Sequence, residues 1–182
     1  MTLRHLLVAL AIMVVAMGCG SRPAERRGAS RTEADATERL IAQVNSLERP
    51  TCRSPSPTFA WGGDRRAPEI RGFSRRGTLW ALVFLPRGGE WAHPTRAVFT
   101  GVRGKQVKIV WRVTGIRHVS FVARSPTGRA DRPRWGPNPH DGSTWERPGR
   151  EWGTGFVFRE TGCWRIGVSG AQLQGFVVLI VR

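Results

Sequence analysis

Only two lysines, Lys105 and Lys108, stand among the 29 basic residues of this 182-residue chain, and only three cysteines are present. There is no HExxH, no CxxC, no spaced carboxylate cluster and no phosphate-binding glycine loop. The metal, redox and nucleotide chemistries that need those spacings therefore have no motif here. Gly167-Val168-Ser169-Gly170 lacks the G-x-S-x-G spacing and falls in a hairpin pattern rather than a strand-to-helix turn, which excludes a nucleophile elbow. Long apolar runs are scarce as well: the N-terminal one, Leu6 to Met17, is too short for a typical membrane span. Helix-favouring runs are few, whereas 22 Gly, 12 Pro and eight Trp point to an all-β domain with many turns. The net charge of +16 is nearly all arginine, spread over every segment with no single basic tract, and it reads as solvated surface.

The first segment, residues 1–18, has a charged start at Arg4 and His5 followed by the apolar run, the layout of an export signal. It ends in Ala16-Met17-Gly18-Cys19. A small residue followed by Cys at this point resembles the lipobox of bacterial lipoproteins, with Ala16 where those proteins prefer Leu. The resemblance implies cleavage before Cys19, acylation of its thiol, and anchoring on the extracytoplasmic face of a cell membrane, for which two acyl chains suffice. Ordinary cleavage with an incidental Cys and an uncleaved anchor are the competing readings. An exported chain is not expected to meet nucleic acid. Residues 19–50 read as a tether: Gly20–Arg31 is small, polar and basic without periodicity. A capping box at Ser30–Glu33, one apolar face (Leu40, Ile41, Val44, Leu47) and a stop at Pro50 predict a short amphipathic helix over 32–48. That helix is either a marginal piece of a stalk or one that docks on the membrane or the domain.

Residues 51–182 form the predicted domain. Strands are expected at Phe59–Trp61, Gly77–Leu85, Ala97–Thr100, Lys105–Val113, His118–Arg124, Thr154–Arg159, Cys163–Ser169 and Leu173–Val181, the last three as a terminal meander. Gly62-Gly63-Asp64 reads as a turn, Arg65–Arg76 as basic and irregular, and Arg129–Trp152 as a long loop without strand pattern. About seven short strands between turns predict a two-sheet, immunoglobulin-like sandwich. Trp164, Ile166 and Val168 alternate with Cys163, Arg165, Gly167 and Ser169, so one set faces a core. Trp61, Trp80, Trp111 and Trp164 are expected in that core.

An early Cys52, Thr78–Leu82 with its Leu-Trp pair, Gln106–Arg112, Phe121–Gly128, and a closing Gly162-Cys163-Trp164-Arg165-Ile166 before Phe176–Val178 carry a second resemblance. The region from Cys52 to Val181 resembles a family of secreted or lipid-anchored bacterial proteins with no assigned activity. The resemblance implies fold and location, not function.

With Cys19 lipidated, Cys52 and Cys163 are left as the natural disulfide pair of an exported chain. No catalytic residue, cofactor or metal site is assigned. Asp131, His140 and Asp141 lie in one loop and offer the weakest alternative, a metal-dependent hydrolase. Trp135, Trp145 and Trp152, with His140 and Asp141 nearby, either cover a sheet or form a platform for a glycan or peptide, the latter being a carbohydrate- or peptidoglycan-binding module. The leading expectation is a non-enzymatic structural or interaction module of the cell envelope, partnered by the membrane through its lipid and by an envelope glycan or another envelope protein.

Overall fold

Turn residues cut the chain into short extended pieces, and the computed structural model describes residues 50–61, 64–141, 143–171 and 173–182. The signal segment, Cys19, the helix expected over 32–48 and the Gly62-Gly63 turn lie outside the described residues. Thirteen strands follow in order: β1 (Thr58–Trp61), β2 (Asp64–Arg71), β3 (Phe73–Ser74), β4 (Leu79–Phe84), β5 (Glu90–Trp91), β6 (Val98–Thr100), β7 (Gln106–Val113), β8 (Ser120–Arg124), β9 (Ala130–Asp131), β10 (Trp135–Pro139), β11 (Arg150–Val157), β12 (Gly162–Ser169) and β13 (Gln174–Val181).

They form two sheets, so the expected all-β sandwich is the fold. The six-stranded sheet runs β1-β2-β4-β7-β11-β10, antiparallel throughout. The seven-stranded sheet runs β5-β6-β13-β12-β8-β9, with β3 also on β13, and only β6 and β13 pair parallel. The alternation of β7 sends Val107, Ile109, Trp111 and Val113 into the core, and that of β12 sends Trp164, Ile166 and Val168 to meet them. Trp111 stacks at 4.7 Å on Phe121 of β8 in the facing sheet, and its Nε1 donates to Thr154 Oγ1 at 2.8 Å. Trp164 Nε1 donates to Glu160 O, so both central indoles bury their rings with the N–H satisfied.

Four expectations need correction. Among the described residues the strands number thirteen rather than about seven, because β3, β5 and β9 are two residues long and β6 three, too short to show a period. Arg65–Arg76 is not irregular: it contains β2 and β3. Its strand character is hidden because Glu69 and Arg71 alternate with Ile70 and yet all three are buried. Pro68 sits opposite Ala60, where the β1 register shifts, so its missing N–H falls at an irregularity. Arg129–Trp152 is not a bare loop but holds β9, β10 and the start of β11. β10 tolerates Pro137 and Pro139 because it is an edge strand with an irregular register. The last three strands are not one meander: β12 and β13 pair as a hairpin, but β11 lies in the other sheet between β7 and β10. The chain crosses between sheets after β11, where Phe158 drops into the core.

Candidate functional site

Four strands of the six-stranded sheet align Arg71, Trp80, Arg112 and Glu151 as direct cross-strand partners. They share the face turned away from the core, since Ile70, Ala81, Trp111 and Trp152 occupy the alternate positions. A face of this kind normally meets water, yet Arg71, Trp80 and Glu151 are all buried. The described residues between β10 and β11, 140–141 and 143–149, account for part of this by bonding down onto the face at several points.

Glu151 anchors that segment. Its carboxylate takes Arg112 Nη2 at 2.7 Å, accepts from Ser143 Oγ, and bonds His140 Nδ1. Arg112 also donates to Gly149 O at 3.1 Å and to Ser143 Oγ at 3.3 Å, so one guanidinium ties both ends of the segment to the sheet. Further along, Arg147 Nε donates to Glu69 Oε2 at 2.7 Å. The guanidiniums of Arg147 and Arg71 lie over the Trp80 ring, 4.6 and 4.8 Å from its centroid. Phe59 packs on the same ring at 6.1 Å. Burial, and secondarily the charge of Arg147, lower the pKa of Arg71 to about 10. Arg71 Nε and Nη1, Trp80 Nε1, Arg112 Nε and Trp145 Nε1 are buried without a hydrogen-bond partner. For Arg71 the aromatic ring is the compensating contact.

The three tryptophans of the expected loop part company here. Trp145 is 2 % exposed, and the segment that carries it is the one pinned by Glu151 and Glu69. Trp152 is not in a loop at all: it is on β11, opposite Trp111, in the core between the sheets. Trp135 is half-buried on β10 and lies across the glycine track of β11, where a Cβ at Gly155 would stand 2.1 Å from its Nε1. The three do not line one groove. Trp61, expected in the core, is half-buried on the edge strand β1, and Trp80 is buried on the outer face rather than between the sheets.

Asp131 is on β9 of the other sheet and pairs with Arg129 at 3.0 Å, while Asp141 is exposed and His140 is held by Glu151. The trio read from the sequence is therefore not brought together. Among the described residues no three His, Cys, Asp or Glu side chains gather in a metal-binding arrangement. Ser143 and His140 each bond the same carboxylate, a geometry that fastens a segment in place.

Cys52 and Cys163 are disulfide-bonded, their Cα atoms 5.5 Å apart across a sequence separation of 111. Cys163 opens β12 on the face that also carries Arg165, Gly167 and Ser169. Over this outer face of the seven-stranded sheet runs a groove of about 570 Å³, with Arg75, Arg124 and Arg165 in its wall. Sequence reading missed this groove. The alternation of β12 placed Arg165 and Gly167 on one face, but Arg124 reaches them only through strand pairing, which periodicity does not reveal.

No protein-family model, no curated protein and no solved structure matches this chain.

Proposed function

We propose that this chain is an exported, lipid-tethered β-sandwich that acts as a non-enzymatic interaction module on the extracytoplasmic face of a cell membrane. The observation that carries this reading is the Cys52–Cys163 disulfide, which joins the start of the domain to its penultimate strand. Bonds of this kind persist in oxidising compartments and are rare in reducing ones. The signal-like residues 1–18 and Cys19 agree with that compartment and supply the anchor. On this reading the chain stands with the secreted and lipid-anchored bacterial proteins whose Gly-Cys-Trp ending it resembles. Its partners are the membrane, through the lipid on Cys19, and an envelope glycan or protein; nucleic acid is not among them.

Ser143 and His140 both bond Glu151, which supports a structural role for the pair, and the burial of Trp145 and Trp152 supports cover rather than a ligand platform for these two rings. The test is fractionation of cells making the wild-type chain and Cys19→Ala. Wild type is expected in the membrane fraction and labelled by a fatty-acid tracer, with the variant released or left unprocessed. Equal membrane partition and equal labelling of the two would refute the lipid tether.

A further inference from the structure

We propose that the seam between the edges of the two sheets binds a phosphomonoester dianion, either free phosphate or the headgroup of a membrane lipid. The site does not depend on a lipid at Cys19. Two crossings of the chain run side by side at this seam. Residues 132–134 lead from β9, at the edge of the seven-stranded sheet, to β10, at the edge of the six-stranded sheet. Residues 158–161 lead from β11 to β12 and so also pass between the sheets. A hollow of about 320 Å³ lies there, and its described walls are Asp131, Arg132, Pro133, Arg134, Val157 and Arg159. Arg132 and Arg134 come from the first crossing and Arg159 from the second, and all three are exposed.

Charge is what singles this hollow out. Two carboxylates stand beside it, and Arg129 takes both: its Nη2 lies 3.0 Å from Asp131 Oδ2 and 3.6 Å from Glu160 Oε1. Glu160 also accepts from Thr127 Oγ1 at 3.0 Å. Among the described residues no carboxylate pairs with Arg132, Arg134 or Arg159. Arg129, Asp131 and Glu160 together sum to −1 and the three wall arginines to +3, which leaves a surplus of +2. A phosphomonoester carries about −1.5 to −2 charge at neutral pH and three acceptor oxygens, whereas a carboxylate offers one charge and two oxygens. Guanidinium forks match such oxygens two bonds at a time. The backbone under the arginines is also fixed before any anion arrives. Arg134 N donates to Gly155 O at 2.7 Å and Gly104 N to Phe158 O at 2.8 Å, while Arg103 Nε donates to Arg159 O at 3.2 Å. Binding then has only side-chain rotamers to order, which keeps its entropic cost low.

The test is calorimetric titration of the full chain, in detergent where the anchor requires it, with inorganic phosphate, dioctanoyl phosphatidate, acetate, and an oligothymidylate lacking a terminal phosphate. Inorganic phosphate is expected to bind, with affinity falling as salt rises, and acetate to bind about tenfold more weakly or less. Phosphatidate binding about tenfold tighter than inorganic phosphate assigns the site to a lipid headgroup, and a smaller difference assigns it to the free ion. Arg134→Ala and Arg159→Ala are each expected to weaken phosphate binding about tenfold or more. Both are expected to leave the melting temperature without phosphate unchanged, because each side chain is exposed. Arg117 is equally exposed but follows the Val113 end of β7, whereas the hollow lies by Val157, which pairs with Gln106 at the other end. Arg117→Ala is therefore expected to change affinity less than about twofold, which separates the site from the general positive charge. The proposal is overturned by absence of phosphate binding, by equal losses in Arg117→Ala and Arg159→Ala, or by acetate or the oligothymidylate binding as tightly as phosphate. None of those outcomes bears on membrane attachment through Cys19, which fractionation decides separately.

Discussion

Trp145 is buried on the outside of a sheet, and a few polar residues hold it there. Ser143 accepts its backbone N–H at 3.3 Å and donates to Glu151, which Arg112 grips in turn. Truncating a fully buried indole removes its transfer energy and leaves a cavity, so Trp145→Ala is expected to cost roughly 3–5 kcal/mol in urea unfolding. A loss under about 1 kcal/mol would mean that the ring contributes no packing. Glu151→Ala is expected to cost a similar 3–5 kcal/mol, since it strands Arg112 without its carboxylate. Arg71 behaves in the opposite way. Its folded pKa is lowered to about 10, below the ordinary arginine value, so the unfolded chain holds this proton more tightly. The cost of its charge is therefore fully present below about pH 10 and lessens as pH rises above it. Arg71→Met is expected to leave stability at neutral pH unchanged or higher. A loss above about 1 kcal/mol would show that stacking on Trp80 outweighs desolvation.

Among the elements, those with a clean period were legible. β7, β12 and β13 alternate or run apolar within a residue or two of the observed bounds, because one or both faces meet a core. β2 and β10 were not legible, for two different physical reasons. Over residues 67–71 of β2 both faces are buried, but the outer one is filled by Glu69 and Arg71 beside Arg147 and Trp80, so its pattern imitates a solvated segment. On β10 two prolines and a register shift break the period, and the edge position makes them tolerable. What positions β10 is instead a gap in its neighbour: Trp135 fills the space that Gly155 leaves. Gly155→Ala is expected to push that ring off the sheet and loosen β10, seen as faster amide exchange at residues 135–139 than in wild type. Unchanged exchange there would show that β10 is held by its backbone bonds alone. The groove was illegible for a related reason, as its two facing arginines, Arg124 and Arg165, lie 41 residues apart in sequence and only the sheet brings them together.

For the whole molecule, counting was enough to read the staple. Two cysteines remain once Cys19 is set aside, and they bond. Closing a loop across a separation of 111 residues restricts the unfolded chain strongly, so replacing both Cys52 and Cys163 with Ser is expected to cost about 4–5 kcal/mol on the chain-entropy estimate. The same bond links the sandwich to its proposed address outside the cytoplasm. Intact mass spectrometry of the protein drawn from the membranes of expressing cells tests that address at its source. The expected mass is that of a chain beginning at Cys19, increased by a diacylglyceryl group and decreased by the two hydrogens of the Cys52–Cys163 bond. A chain still beginning at Met1, or one cut elsewhere with no acyl mass and two free thiols, would contradict it.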